Sequence, residues 1–148
     1  MGEEPVEVHA LASTLVSDEI RDAGDYDTSI VTMRFASGAL ASIENSRRSG
    51  FGYDVRTEIF GSNGALMVGE SRATPVRRFT ASGVVEDHQH FFLARFRDAY
   101  VDEMLAFLTA IRDDQPVAVT GRDGRAALAL AYAAEESLRT GRPVALAH

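Results

Sequence analysis

The apolar residues change their period near residue 90, and that switch limits the fold more than any other feature of the chain. Before it, apolar and polar residues alternate in short runs, the mark of strands with two different faces. In residues 5–12, Val6, Val8 and Ala10 alternate with Glu7, His9 and Leu11. In residues 28–35, Val31, Met33 and Phe35 alternate with Ile30, Thr32 and Arg34. Ala36-Ser37-Gly38 makes a turn into a third strand over 39–47. Residues 53–60 set Val55, Thr57 and Ile59 against Asp54, Arg56, Glu58 and Phe60. Asn63-Gly64 predicts the positive φ angles of a tight turn, with 65–68 as the returning strand. Residues 72–81 and 84–88 form a further pair across Ser82-Gly83. The stretch 16–27 is rich in Asp, Glu and Gly without a period, and reads as a solvent loop.

After His90 the spacing is helical: Leu93, Phe96, Tyr100, Met104, Phe107, Leu108 and Ile111 predict a helix to about Asp113, stopped by Gln115-Pro116. Residues 117–119 read as extended. Thr120 then caps a second helix, with Asp123 three positions on, and Ala126, Ala127, Leu130, Ala131, Ala134 and Leu138 as its buried stripe. Gly141 closes that helix, Pro143 prevents its resumption, and 142–147 can add an edge strand.

Strands first and helices last predict one α+β domain over residues 1–148: a large, mostly antiparallel open sheet with helices on one face. The set Val31, Met33, Phe35, Val55 and Ile59 is expected beneath the helices. The opposite set, Ile30, Thr32, Arg34, Arg56, Glu58 and Phe60, is expected on the open face, where a second copy can pair with it.

Composition excludes several functions. A formal net charge of −7 argues against nucleic-acid binding. With no cysteine, thiolate catalysis and cysteine-held metal are excluded, and the chain fits a cytoplasmic protein. No membrane span or signal peptide is read, although the strand that begins almost at Met1 hints at something in front of it. No Gly-x-Gly-x-x-Gly or Gly-x-x-x-x-Gly-Lys occurs, and Gly121-Arg122-Asp123-Gly124 is a helix start; no dinucleotide site is expected. His88 and His90 could share one side of a strand, but no local third ligand makes them a metal site. Asp113-Asp114 and Glu135-Glu136 point apart on helices and are no acid/base pair. Ser46, Ser49 and Ser62 lack a histidine partner. Arg47, Arg48 and Arg56 could meet an anion, or pair with Glu44 and Glu58 across the sheet. No catalytic residue is assigned.

The remaining feature is the loop ahead of residue 53, where Gly50 and Gly52 bracket Phe51 and place Tyr53 at a strand mouth. An ordinary hairpin with a flexible entry is the plain alternative. The run Asn45-Ser46-Arg47-Arg48, followed by Gly52-Tyr53-Asp54-x-Arg56-x-Glu58-x-Phe60-Gly61-Ser62-x-Gly64, resembles the C-terminal half of Gfo/Idh/MocA oxidoreductases, and is most similar to their myo-inositol 2-dehydrogenase branch. Phe92-Leu93-x-Arg95-Phe96 with Tyr100, Glu103, Met104 and Phe107, and Val119-Thr120-Gly121-x-Asp123-Gly124 with Ala127 and Leu128, extend the resemblance over nearly the whole chain. It implies a dihydrodipicolinate-reductase-like C-terminal domain that closes a polyol or sugar pocket and forms the oligomer. It also implies NAD or NADP in the intact enzyme, held by an N-terminal Rossmann domain. That glycine fingerprint, the Glu-Lys-Pro lysine and the Asp-x-x-x-His pair are not in this sequence, and Met1 falls about where the catalytic helix would hand over to the sheet. On the resemblance, Tyr53 is the foremost substrate contact, with Phe51, Arg48 and Asp54 beside it. A stand-alone polyol-binding or self-associating domain without redox activity is the alternative.

Overall fold

The computed structural model describes residues 2–69 and 72–146. In chain order its elements are β1 (Pro5–Ser13), α1 (Asp18–Asp22), β2 (Thr28–Phe35), β3 (Leu40–Ser46), β4 (Thr57–Gly61), β5 (Gly64–Val68), β6 (Arg72–Thr80), β7 (Gly83–His88), α2 (Phe92–Arg95), α3 (Arg97–Arg112), α4 (Gly121–Thr140) and β8 (Val144–Ala145). The α+β class is observed, and every described strand pair is antiparallel. By backbone hydrogen bonding the strands form one four-stranded sheet and two separate hairpins. The chain divides into two compact units, residues 1–48 with 118–148, and residues 49–117.

The first unit is built on the sheet β3-β2-β1-β8. Its register sets Leu11 beside Ile30, His9 beside Thr32 and Glu7 beside Arg34, so these six share one face. Ile30, Thr32 and Arg34 are exposed there, whereas Val31 and Met33 are half-buried and Phe35 is buried, as their alternation predicts. Helix α4 packs on β1 and β8. On it Ala133 and Ser137 are buried, and Ala126, Leu130, Ala134 and Leu138 of the expected stripe are half-buried. Ala127 and Ala131, expected within it, are exposed because each lies one residue, about 100° of helix rotation, beyond a stripe position. Small side chains let the helix approach the strand closely enough for the Ser137 hydroxyl to accept the Ala10 N–H at 3.0 Å and donate to the Arg142 carbonyl at 2.7 Å. Val8, Ala10, Phe35 and Ala133 are the buried apolar core.

Both ends of α4 follow the sequence. The Thr120 N–H and hydroxyl each donate to the Asp123 carboxylate at 2.7 Å. Gly141 ends the helix at φ +66°, and β8 then pairs with β1 at the sheet edge. The stretch 16–27 is more than a solvent loop. It contains α1 and is closed by Asp27, which is 2% exposed. Its carboxylate accepts the N–H groups of Leu15 (2.8 Å), Val16 (2.8 Å) and Ser17 (3.2 Å) and the Thr28 hydroxyl (2.9 Å).

In the second unit β4 pairs with β5 and β6 with β7. Strand β4 begins at Thr57, four residues later than its alternation suggests, because Tyr53 spends its N–H on the Gln89 carbonyl rather than on a ladder. The turn also differs from expectation: Gly61 pairs with Gly64, so Ser62-Asn63 is the bend. Gly64 carries the positive φ, +146°, and Asn63 does not. Val55 and Ile59, expected in the core, are exposed. The helical stretch after His90 is divided at Phe96, whose φ of −110° and ψ of 16° leave the helical region, into α2 and α3. The stop ahead of Pro116 is found, with α3 ending at Arg112. Residues 117–120 hold no strand.

Candidate functional site

A concavity of about 160 Å³ lies in the second unit, lined by Phe51, Tyr53, Asp54, Arg56, Arg72, Glu86, His88 and Gln89. Two segments meet to form it: the glycine-bracketed loop and the end of the β6–β7 hairpin. Gly52 makes the meeting possible. It adopts φ +113°, and a Cβ built on it would lie 2.6 Å from the Gln89 carbonyl oxygen and 2.8 Å from the His88 Cβ. The next residue, Tyr53, donates its N–H to that carbonyl at 2.6 Å. The Gln89 side-chain amide donates to the Arg72 carbonyl at 3.2 Å and so joins both hairpin strands to the loop's seat.

The rings are held by one another. Tyr53 lies 6.2 Å from the Phe92 ring and 6.0 Å, edge-on, from Phe96; Phe51 lies edge-on to His88 at 6.2 Å. Tyr53 remains 39% exposed, on the rim rather than in a core. The charged lining residues balance in sign. Arg56 pairs with Asp54 at 2.7 Å and Arg72 with Glu86 at 3.4 Å, while Arg77 meets the other Glu86 oxygen at 2.5 Å. The expected cross-strand partners, Glu44 and Glu58, are not the ones used: Arg56 takes Asp54, and Arg47 takes Asp25 at 3.3 Å. Asp54, two positions from Arg56, reaches it without ordering a longer span of chain, whereas Asp25 lies 22 positions from Arg47 and is brought to it by the fold.

Three of the four residues singled out in the sequence, Phe51, Tyr53 and Asp54, thus line one hollow. Arg48 does not. It belongs to the first unit, where its N–H donates to the Ser46 hydroxyl at 3.3 Å and its carbonyl accepts from that hydroxyl at 3.0 Å. Sequence reasoning missed Arg72, Glu86 and Gln89, and weighed His88 only as a metal ligand. Nothing in local spacing links residues 72–89 to residue 53. Among the described residues no group of three His, Asp or Glu side chains is arranged to hold a metal. His90 instead approaches Asp87 at 3.8 Å. No described helix is long and apolar enough to cross a membrane.

The family model of an oxidoreductase family, C-terminal alpha/beta domain, matches residues 1–146. The chain belongs to the Gfo/Idh/MocA oxidoreductase family. It is 46% identical to the myo-inositol 2-dehydrogenase of Thermotoga maritima, with 99% of this chain and 44% of that protein covered. A solved structure of a putative myo-inositol dehydrogenase from Sinorhizobium meliloti superposes with a TM-score of 0.94 at 42% identity, over 99% of this chain and 45% of that one. The scyllo-inositol dehydrogenase of Lactobacillus casei, solved with bound NAD(H) and scyllo-inositol, superposes with a TM-score of 0.91 at 26% identity, over 98% and 43% of the two chains. The chain therefore spans less than half the length of the curated relatives it matches, and corresponds to the C-terminal domain of inositol-dehydrogenase-like oxidoreductases.

Proposed function

We propose that this chain is the substrate-binding and assembly half of an NAD- or NADP-dependent inositol or sugar dehydrogenase of the cytoplasm, without redox activity of its own. The observation that carries the reading is the hollow of Phe51, Tyr53 and Asp54 on a chain of this family. Its aromatic faces suit the C–H surface of a polyol ring, and its tyrosine hydroxyl suits the ring's hydroxyls. The balanced ion pairs suit an uncharged ligand. The residues present do not fit a dinucleotide. The described strands are antiparallel throughout, and no glycine-rich strand-to-helix turn offers a pyrophosphate seat. Hydride transfer and proton removal are thus assigned to the remainder of the intact enzyme, whose nicotinamide accepts the hydride. This chain's residues bind and orient the polyol.

In the intact enzyme, Tyr53→Phe removes one hydrogen bond, on the order of 1 kcal/mol. It should raise KM about fivefold with kcat little changed, since the bond is made in ground and transition states alike. An unchanged KM defeats the assignment. The isolated chain should not reduce NAD or NADP with myo-inositol; reproducible reduction by a pure sample refutes its redox silence.

Assembly is assigned to the exposed sheet face bearing Leu11, Ile30, Thr32 and Arg34. Leu11 is 64% and Ile30 44% exposed, and Arg34 meets Glu7 at 3.3 Å. A twofold partner presenting the same face would bury the apolar pair and remove roughly 800 Å² from each copy. Ile30→Arg should halve the mass measured by light scattering while circular dichroism is unchanged. A wild-type monomer at micromolar concentration overturns this part of the reading.

A further inference from the structure

The lining of the hollow divides into groups that have a partner in the protein and groups for which the described residues supply none. Asp54 and Arg56 pair with each other, as do Arg72 and Glu86, and the Gln89 amide donates to the Arg72 carbonyl. The Tyr53 hydroxyl and the His88 ring nitrogens are different: among the described residues neither has a hydrogen-bond or ion partner, although both rings make aromatic contacts. His88 is also held in place. It is the last residue of β7, its Cβ stands against the backbone of Gly52, and its ring is edge-on to Phe51. A polar side chain on a fixed stem, lining a hollow and without a partner among the described residues, is what a ligand hydroxyl requires.

We propose that His88 is a second polyol-binding residue that works with Tyr53, so that the hollow grips hydroxyl groups of one ring at two points. This rests on the reading of the hollow as the polyol site. A neutral imidazole offers one donor and one acceptor, which complement a hydroxyl that accepts and donates in turn. Two-point contact selects for the spacing and orientation of hydroxyls around the ring, which a single tyrosine hydroxyl cannot do.

The test is an NMR titration of the full 148-residue chain with myo-inositol, following the ring signals of Tyr53 and His88, repeated on His88→Leu and His88→Gln. Saturable shifts are expected at both rings. His88→Leu removes the polar atoms and should weaken binding by roughly three- to tenfold. His88→Gln keeps a donor and an acceptor on a planar group and should restore binding to within about threefold of wild type. A purely structural histidine would instead be replaced as well by leucine as by glutamine. Shifts at Tyr53 without shifts at His88, or a leucine variant that binds like wild type, overturn the inference while the site reading stands. No shift at either ring overturns the site reading, and this inference with it.

Discussion

Replacing Gly52 by alanine should damage the hollow more than any other single-methyl change in its loop. The residue sits at φ +113°, where an L side chain is strained by about 1–3 kcal/mol. The added Cβ would also stand 2.6 Å from the Gln89 carbonyl oxygen. That oxygen is backbone and cannot swing aside as a side chain would. Relief requires the loop to lift, which breaks the 2.6 Å bond from the Tyr53 N–H, a further loss of about 1 kcal/mol. The sum is roughly 2–4 kcal/mol. Gly50 supplies the control two residues away: it has no positive φ, and its Cβ would meet nothing within 4 Å. Gly50→Ala should therefore change stability by no more than about 1 kcal/mol, and in the stabilising direction, because alanine restricts the unfolded chain. Urea unfolding of both variants, analysed at a common m value, gives the difference. Amide hydrogen exchange at Tyr53 reports whether the loop has lifted. Equal stability of the two variants, with the Tyr53 amide still protected, would refute the close-approach argument.

Acid should release the stretch closed by Asp27. Burial of this carboxyl works to raise its pKa, but hydrogen bonds from the Leu15 and Val16 amides, the Thr28 hydroxyl and the Ser17 amide outweigh that and lower it from 3.8 to about 2. A depressed folded-state pKa means stability that is present above the unfolded value and lost as pH falls through the folded one. Amide exchange at Leu15, Val16 and Ser17 should accelerate between about pH 4 and pH 2, and Asp27→Asn should remove that dependence; an equally steep acid response in the variant would show that other carboxyls govern it. Ser137→Ala should destabilise the first unit by about 1–3 kcal/mol, because the buried Ala10 N–H loses its acceptor and the Arg142 carbonyl its donor. A thermal midpoint within a degree of wild type would show that water replaces the hydroxyl.

Much of the chain is legible from its residues because much of it is decided locally. Strands β1, β2, β6 and β7, the capping of α4 by Thr120 and Asp123, the left-handed Gly141 and the short return of β8 each depend on neighbours a few positions away. Alternation, a capping side chain and a permissive glycine act at that range. The loop carrying Phe51, Tyr53 and Asp54 was legible for the same reason, from its bracketing glycines and the motif around them. Where two local preferences competed, the chain's packing chose between them. Residues 53–56 alternate like a strand, yet Tyr53 gives its N–H to Gln89, 36 positions away, and β4 starts only at Thr57. The stripe of α4 could have run through Ala127 or Ala131; docking on β1 selected Ala133 and Ser137 instead. Asp27 looked like one more acidic loop residue until three amides and a hydroxyl converged on it. The residues that share the hollow with Tyr53, His88 and Gln89 above all, could not be read from spacing at all. Their meeting is set by where two distant segments come together around a glycine with no side chain, and a linear pattern carries no record of that distance.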